Sequence, residues 1–338
     1  MTLISIAVCV RNGVDWIDGC MDALINQTYS PLEIILVDDG SKDGSTQKVN
    51  EWADHDLVSV ITQKPLGLSA GRSAALEAAK GEWLAITDID VRPESDWIQC
   101  MLDASISQSG EDVVAVTGRT VFGQGEDIIS RIRSIEIESK YRSRPRNTKL
   151  ANGPCSMFKR EKLELIGGFN PLWYHAEDME VSLKLIDAGG TIVYTPNAVV
   201  NHIPETGLSR FLHKRKRDAR AHVRIHRRYK SVNHDFIGSS WIVLWMIPLM
   251  MLGISGIGLY VRNILAFDSL EYETFYLAMT REVLLICLIP LFWLSSFLRS
   301  HLPKRGIKAL FVLTAWSLVL WQGILLGYLD ALMHRNGH

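Results

Sequence analysis

Two long charge-free apolar runs near the C-terminus constrain this chain more than any other feature. They span Phe236–Val261 (26 residues) and Ala309–Leu329 (21 residues), and a run of 16 residues, Val283–Leu298, lies between them. A helix needs roughly 20 apolar residues to cross a bilayer, so both long runs qualify. The middle run reaches only about 24 Å at ~1.5 Å per residue, and Pro290 interrupts it. We predict a membrane domain, residues 236–338, with two to three transmembrane helices at about 237–261, 282–299 and 308–329.

A strongly basic segment precedes the first apolar run. Arg210–Lys230 contains ten Lys or Arg and one acid, Asp218, in a chain whose net charge is −1. Two Lys or Arg lie in the loop 262–282 and four in the loop 299–308. Lysines and arginines near spans mark the cytoplasmic side, so we predict a multi-pass protein of the cytoplasmic (inner) membrane whose N-terminal domain faces the cytoplasm. With three spans the C-terminus is outside, and with two it is inside.

Composition excludes several other classes. A hydrophobic share of 47% and a near-zero net charge argue against a disordered chain and against a globally basic nucleic-acid-binding domain, so no nucleic-acid partner is expected. The five cysteines have neither the paired spacing of a zinc site nor the density of a disulfide scaffold, which favours a reducing compartment. The apolar stretch Leu3–Val10 has no basic residue before it and is too short for a signal peptide.

The first 200 residues alternate short buried-strand patterns with helical patterns, which is typical of a parallel sheet flanked by helices. The predicted strands are Leu3–Val10, Glu33–Val37, Val58–Thr62, Trp83–Thr87, Val113–Thr117, Met157–Lys159, Thr191–Tyr194 and Ala198–Asn201. Predicted helices lie between them, including Ser45–Trp52 and Asp178–Ala188. We therefore predict an α/β fold followed by an α-helical membrane tail.

Polar clusters follow three of these strands, at residues 10–12, 38–43 and 88–90. Ligands in open α/β sheets bind beyond the carboxyl ends of the strands, so these clusters should meet in one crevice. Asp88 and Asp90 can hold a divalent cation that neutralises a diphosphate, or they can be a loop or capping pair. The acidic turn at Asp38–Ser45 offers acceptors for a nucleoside, and it also suits a calcium-binding or N-capping loop.

The order of these elements is more specific than any one of them. The series comprises Ser5–Asn12, Gln27-Thr28-Tyr29, Glu33–Ser45, Gly67–Arg72, Gly81-Glu82-Trp83, Asp88-Ile89-Asp90, Gly167-Gly168-Phe169 and Glu177-Asp178. This series resembles the family 2 glycosyltransferases of GT-A fold over roughly residues 2–205. The resemblance implies a catalytic domain at 1–208, a Rossmann-like mixed sheet flanked by helices, and a hexosyltransferase activity.

The resemblance also implies roles for individual residues. The donor-binding positions are Val10, Asn12, Asp39, Arg72 and Asp88. Asp90 matches the carboxylate that binds Mg²⁺ or Mn²⁺, and His202 falls where some relatives place a further metal or diphosphate contact, although a structural role is open. Asp178 matches the catalytic base, and Glu177 beside it is predicted as a second catalytic residue. Asp178 sits near a predicted helix N-terminus, where the helix dipole favours a carboxylate.

For two sets of residues the sequence allows two interpretations. Trp173 either stacks on a sugar or belongs to the core. The basic segment 209–235 is either an amphipathic helix on anionic headgroups or a source of cations, such as Lys216 and Arg217, that contact the donor diphosphate or an acceptor phosphate. Processive synthases of the family carry a Gln-x-x-Arg-Trp motif hereabouts. This chain has Arg217-Asp218-Ala219-Arg220-Ala221, which counts against processive polymerisation.

Two departures from the family pattern affect contacts to the nucleotide rather than the reaction type. The usual Arg-Asn pair reads Arg72-Ser73, and the common acid after the first strand is missing from Arg11-Asn12-Gly13.

The resemblance predicts an inverting, metal-dependent transfer of one sugar from a nucleotide-diphosphate donor, with a UDP-sugar expected. The acceptor would be a hydroxyl of a lipid-linked or other membrane glycan in cell-envelope synthesis, so membrane lipids are expected partners. The alternative is a polyprenyl-phosphate sugar synthase, whose acceptor is a phosphate and needs no general base. A catalytically silent scaffold is disfavoured because Asp39, Asp88, Asp90 and Asp178 are all present, and a nucleotidyltransferase because no Gly-rich triphosphate loop follows the first strand.

Overall fold

The computed structural model describes most of the chain. The described residues are 1–106, 110–123, 125–142, 144–173, 175–230, 241–248, 250–252, 255, 258, 281 and 306–335. The predicted span at about 282–299 lies outside the described residues, and the one at about 237–261 is described only in part.

The described strands form one mixed sheet. They are β1 (Ile4–Val10), β2 (Leu32–Asp38), β3 (Val58–Thr62), β4 (Trp83–Asp88), β5 (Val91–Pro93), β6 (Val113–Phe122), β7 (Asn147–Thr148), β8 (Ser156–Lys159) and β9 (Thr191–His202). Their order is β3-β2-β1-β4-β8-β6-β9-β5, and β7 pairs with β9. The β3-β2-β1-β4 part is parallel, whereas β8 runs antiparallel between β4 and β6. The predicted α/β class is confirmed.

Helices cover both faces of the sheet. They are α1 (Val14–Ile25), α2 (Ser45–Trp52), α3 (Leu68–Ala78), α4 (Trp97–Ser105), α5 (Ile128–Arg142), α6 (Arg160–Leu165), α7 (Glu177–Asp187), α8 (Leu208–Arg228), α9 (Trp241–Leu244) and α10 (Gly306–Leu332). One apolar layer contains α1 and α4, and the other contains α3, α6 and α7. Because helices cover both faces of the sheet, the strands whose sequences are continuously apolar are buried on both sides.

The register of the parallel strands brings the polar clusters level with each other. Val10 at the end of β1 pairs with Asp38 at the end of β2, and Cys9 pairs with Asp88 at the end of β4. The three predicted clusters therefore open onto one edge of the sheet, as the sequence predicts.

One strand prediction needs correction. The two short strands expected at 191–194 and 198–201 are a single strand, β9, whose pairing with β6 shifts register between Thr117 and Arg119. Gly118 lies in this irregularity, and a Cβ built there would be 2.2 Å from the carbonyl oxygen of Ala198. Glycine has no Cβ, so β6 can approach Ala198 this closely at the irregularity and β9 continues past it. The sequence pattern alone shows a break between residues 194 and 198 and therefore suggests two strands.

The helix α10 is the one described helix that is long and apolar enough to cross a membrane. It has 27 residues and a mean hydropathy of 1.9, and 44% of its most apolar window is buried inside the protein. Only its length and composition indicate a membrane span, and a buried core helix of a soluble protein can have the same length and composition. The helix predicted at 308–329 therefore exists, with membrane insertion still a prediction.

The buried face of α10 packs on α8. Gly323 and Gly327 lie where an added Cβ would come within 2.3 Å of the Lys216 carbonyl oxygen and within 2.7 Å of the Val223 Cβ, respectively. Arg220 of α8 forms an ion pair with Asp330 near the end of α10, with Nη2 donating to Oδ1 at 2.8 Å. The predicted basic segment is therefore a helix held against the protein over much of its length.

Candidate active site

The acidic turn after β2 is tied to the end of β1 by backbone hydrogen bonds. The Asp39 N–H donates to the Val10 carbonyl at 2.9 Å, and the Lys42 N–H donates to Asn12 Oδ1 at 2.8 Å. Asn12 has φ of 54° and is exposed, whereas Val10 is 1% exposed as a whole residue. Asp43 accepts from the N–H groups of Val14 and Ser45 at the first residues of α1 and α2, which is a capping role.

Asp39 holds the loop that precedes α3. Its Oδ1 accepts from Gln63 Nε2 at 2.7 Å and from the Leu66 N–H at 2.8 Å, and its Oδ2 accepts from the Gly67 N–H at 2.9 Å. The carboxylate is 4% exposed, and the nearest guanidinium nitrogen, Arg11 Nη1, is 3.8 Å from Oδ2. In this conformation the Asp39 oxygens hold the loop that forms the wall of the predicted nucleoside pocket. The same oxygens would accept hydrogen bonds from a bound nucleoside.

Arg72 is the centre of a buried network. Its Nη1 is 2.7 Å from Glu177 Oε1, and its Nη2 is 2.9 Å from Asp88 Oδ1 and 3.2 Å from the Gly153 carbonyl oxygen. The Arg72 side chain is 2% exposed, and Glu177 is 6% exposed. Arg72 is one of the predicted donor-binding residues, and in the structure its buried side chain bridges the Asp88 and Glu177 carboxylates.

Asp178 lies on the far side of the same network. Its Oδ2 accepts from the Gly153 N–H at 3.0 Å, and its Oδ1 accepts from the Met179 N–H at 2.8 Å. Both hydrogen bonds orient the carboxylate. Burial raises the pKa of the adjacent Glu177, against the opposing effect of Arg72, and Asp178 raises it further. Gly153 thus joins Asp178 to Arg72 and hence to Asp88.

Asp90 and His202 meet where β4 and β9 end. His202 Nε2 lies 3.4 Å from Asp90 Oδ1, and its Nδ1 lies 2.7 Å from the Ile203 carbonyl oxygen. A carbonyl oxygen can only accept, so Nδ1 donates its proton to Ile203 and Nε2 is the ring nitrogen that faces Asp90. Burial raises the pKa of Asp90, which His202 opposes and Asp88 reinforces. Phe122 stacks on the imidazole ring with centroids 4.3 Å apart, which fixes its orientation.

These residues fit a divalent cation. A histidine whose Nδ1–H donates to a backbone carbonyl is the usual arrangement of a metal ligand, and carboxylate oxygen suits Mg²⁺ and Mn²⁺. No group of three or more His, Cys, Asp or Glu side chains positioned to hold an ion occurs in the described part of the chain. A cation here would therefore take its other ligands from water and from substrate phosphate.

A cleft of about 690 Å³ connects Asp90 and His202 to one face of α8. Arg210, Lys214 and Arg217 line it, at positions i, i+4 and i+7 of that helix, and Trp16 closes the opposite side. The Arg210 guanidinium lies 5.6 Å from the centre of the Trp16 ring. The cleft thus has a carboxylate and an imidazole at one end and a row of cations along its side.

Two predicted contacts lie elsewhere. Lys216 does not line the cleft, and its backbone carbonyl packs against Gly323 of α10. Trp173 is 1% exposed: its carbonyl accepts from Ser69 Oγ at 2.8 Å, and the Arg224 guanidinium lies 3.7 Å from the centre of its ring. In this conformation the ring belongs to the core and offers no face to a sugar.

Sequence reasoning missed three members of this site. Gly153 carries no side chain, and the only local signal for it is the turn sequence Asn152-Gly153-Pro154. Arg210 and Lys214 lie in the recognised basic segment, and the helical spacing from Arg217 would have selected them.

Comparison with known proteins finds a family match in the N-terminal part of the chain. Residues 5–167 match the family described as glycosyl transferase family 2. A cholesterol galactosyltransferase of Borreliella burgdorferi is 32% identical over 111 residues, which are 32% of this chain and 31% of that protein. Glycosyltransferase AglE of Haloferax volcanii is 24% identical over 254 residues, 73% of this chain and 82% of that protein. The first of these matches spans about a third of the relative's length.

The fold has a close structural parallel. Mannosyltransferase PcManGT from Pyrobaculum calidifontis, solved in complex with GDP-Man and Mn²⁺, aligns over 95% of this chain and 86% of its own, with a TM-score of 0.63 and 20% identity. This similarity confirms a GT-A-like mixed sheet flanked by helices.

Proposed function

We propose that this chain, in which residues 5–167 form a glycosyltransferase domain of family 2, transfers a single sugar from a nucleotide-diphosphate sugar to a hydroxyl of a lipid-linked or membrane glycan. The observation that carries the proposal is the continuous network from Asp88 through Arg72 and Gly153 to Asp178. It fixes a donor-side carboxylate and a candidate base in one rigid arrangement, which is what a displacement between two bound substrates needs.

The proposed reaction is a direct displacement at the anomeric carbon. Asp178 accepts the proton of the acceptor hydroxyl, the hydroxyl oxygen forms the new bond, and the bond from the anomeric carbon to the diphosphate breaks with inversion. Asp90 and His202 would hold a divalent cation, which when bound stabilises negative charge on the leaving diphosphate. Arg72 keeps Glu177 and Asp88 in place, and the Gly153 N–H orients the Asp178 carboxylate.

The cations along α8 support a diphosphate in the cleft. Arg210, Lys214 and Arg217 face the same space as Asp90, and a metal at Asp90 would lie at its end. Arginine and lysine beside phosphate oxygens form charge-assisted hydrogen bonds, which are about twice as strong as neutral ones. This placement favours the phosphate-binding role of the basic segment over a solely membrane-facing one.

Membrane placement and acceptor class form part of the same proposal. The apolar helix α10 is fastened to α8, so a membrane that contained α10 would hold the cleft close to its surface. The curated relative named cholesterol galactosyltransferase supports a lipid-type acceptor. We keep the donor base open to UDP and GDP, since the structural neighbour was solved with GDP-Man.

A substitution of the base tests the proposal. Asp178→Asn keeps an oxygen that accepts from the Gly153 N–H, so the fold and donor binding should survive. Loss of a general base typically costs about 10²- to 10⁴-fold in rate. We expect donor and Mn²⁺ affinity within twofold of wild type by calorimetry, with transfer reduced by that factor. Asp187→Asn, an exposed change at the other end of α7, is the matched control. Full transfer by Asp178→Asn would remove Asp178 as the base.

The cationic row also suits a phosphate acceptor, which keeps a polyprenyl-phosphate sugar synthase as the second candidate. Such an acceptor is already ionised and needs no base. Efficient transfer to polyprenyl phosphate that survives Asp178→Asn would favour this second function, whereas transfer to a hydroxyl acceptor that requires Asp178 supports the first.

A further inference from the structure

Asp218 occupies an unusual position in α8. It is the single acid among the ten Lys and Arg of residues 210–230, and its side chain is only 26% exposed. Its Oδ2 lies 2.9 Å from Arg215 Nη2 on its own helix, and its Oδ1 pairs with His175 Nε2. One oxygen therefore contacts α8 itself, and the other contacts His175, which lies 43 residues earlier in the chain.

That loop is the approach to α7. His175 stands three residues before Asp178, and Ala176 between them has a left-handed φ of 62° without being glycine. A backbone conformation of this kind persists only where the surroundings hold it.

α8 fastens this loop at two points. Asp218 binds the His175 side chain, and Arg224 Nη2 donates to the His175 carbonyl at 2.7 Å. Arg224 belongs to several contacts, including the Trp173 ring, so its removal would disturb more than the loop. Asp218 is the more selective point, because the described contacts of its carboxylate are those to Arg215 and His175.

The charges around Asp218 keep it ionised. Although burial raises the pKa of this carboxyl, the guanidinium of Arg215 and the hydrogen bond from His175 lower it well below its ordinary value. The contact to His175 is therefore charged or charge-assisted throughout the range in which such an enzyme works.

We propose that Asp218 is a positioning residue that, through His175, holds the loop leading into α7, and with it Asp178, in the conformation required for transfer. The inference rests on the proposed function and deepens it, because it adds the basic helix to the parts that set the geometry of the base. The same helix lines the cleft with Arg210, Lys214 and Arg217 and packs on α10, so one element contacts the candidate diphosphate site, the base loop and the apolar helix.

The test uses the full chain and the variants Asp218→Asn, His175→Gln and their combination. A misplacement of about 1 Å can cost 10²-fold in rate. We expect each single variant to lower kcat about 10-fold or more, with KM for the donor within twofold of wild type. The double variant should lose no more than the larger single loss, because both changes remove one contact. Glu138→Gln, which makes the same charge change at an exposed site on α5, should leave kcat unchanged.

Hydrogen–deuterium exchange at the backbone amides of residues 175–179 provides a readout that does not depend on activity. We expect faster exchange there in Asp218→Asn and His175→Gln, with the strands β1 and β4 unchanged. Unchanged exchange, unchanged kcat, or losses that multiply in the double variant would each overturn the inference. If wild-type protein transfers no sugar from any donor, the proposed function fails, and the exchange comparison still decides whether Asp218 holds the loop.

Discussion

Replacement of Arg72 by methionine should leave a buried carboxylate without its partner. Methionine retains much of the length and apolar character of the arginine stem, and it removes the guanidinium that lies 2.7 Å from Glu177. Glu177 is 6% exposed and cannot recover the lost interaction from water, whereas Asp88 is 31% exposed and can be solvated. The cost therefore arises at Glu177 and much less at Asp88.

The magnitude follows from this difference in burial. Removing one partner of a buried ion pair costs about 3–5 kcal/mol. For a domain of roughly 200 residues, each kcal/mol lowers the melting temperature by about 2–4 °C, so Arg72→Met should melt about 6–20 °C below wild type. Adding Glu177→Gln removes the isolated charge, and the double variant should recover at least half of that loss.

The loss should also depend on pH. Burial and Asp178 raise the pKa of Glu177, and the variant lacks the opposing effect of Arg72. A carboxyl with a raised folded-state pKa is protonated in both states at low pH and costs nothing there, while the cost grows as pH rises past its ordinary value of about 4.3. Thermal melts followed by tryptophan fluorescence should show a larger gap between wild type and Arg72→Met at pH 8 than at pH 5. An equal gap at both values, or no recovery in the double variant, would refute the reasoning.

Three further predictions concern the metal, the cleft and the helix pair. His202→Gln should raise the Mn²⁺ or Mg²⁺ concentration needed for donor hydrolysis in metal titrations, because it removes one of the two proposed protein ligands. Unchanged activation by both metals would argue against His202 as a ligand. Arg217→Gln should lower donor affinity by about 10- to 150-fold in calorimetry, because one hydrogen bond to a charged group contributes about 1.5–3 kcal/mol. Arg227→Gln, at an exposed position of α8, should leave donor affinity unchanged. Gly323→Leu should separate α10 from α8 and lower the melting temperature, because even its Cβ would lie 2.3 Å from the Lys216 carbonyl oxygen. Gly306→Ala is the control and should leave the melting temperature unchanged, because nothing lies within 4 Å of an added Cβ there.

Local sequence patterns are enough to predict the fold class and the edge of the sheet that carries the site. Strands such as Ile4–Val10 and helices such as Ser45–Trp52 are specified by local periodicity, and the structure places them where that periodicity predicts. Parallel pairing then brings Val10, Asp38 and Asp88 to one edge with no further information. Resemblance to the family supplied the roles assigned to Asp90 and Asp178, which remain predictions for experiment.

The contacts of each side chain, in contrast, depend on packing between segments that are far apart in the chain. Arg72 and Glu177 are 105 residues apart in the chain, and no local pattern shows that they form an ion pair or that Gly153 links them to Asp178. The basic segment has the sequence of a helix that binds a membrane surface. Which of its faces points into the cleft depends on which face packs against α10, a helix about 100 residues later in the chain. Periodicity records which faces of an element are apolar, while the partner of each face is chosen by packing between distant segments, and that choice turns Arg210, Lys214 and Arg217 towards Asp90 and places Asp218 against His175.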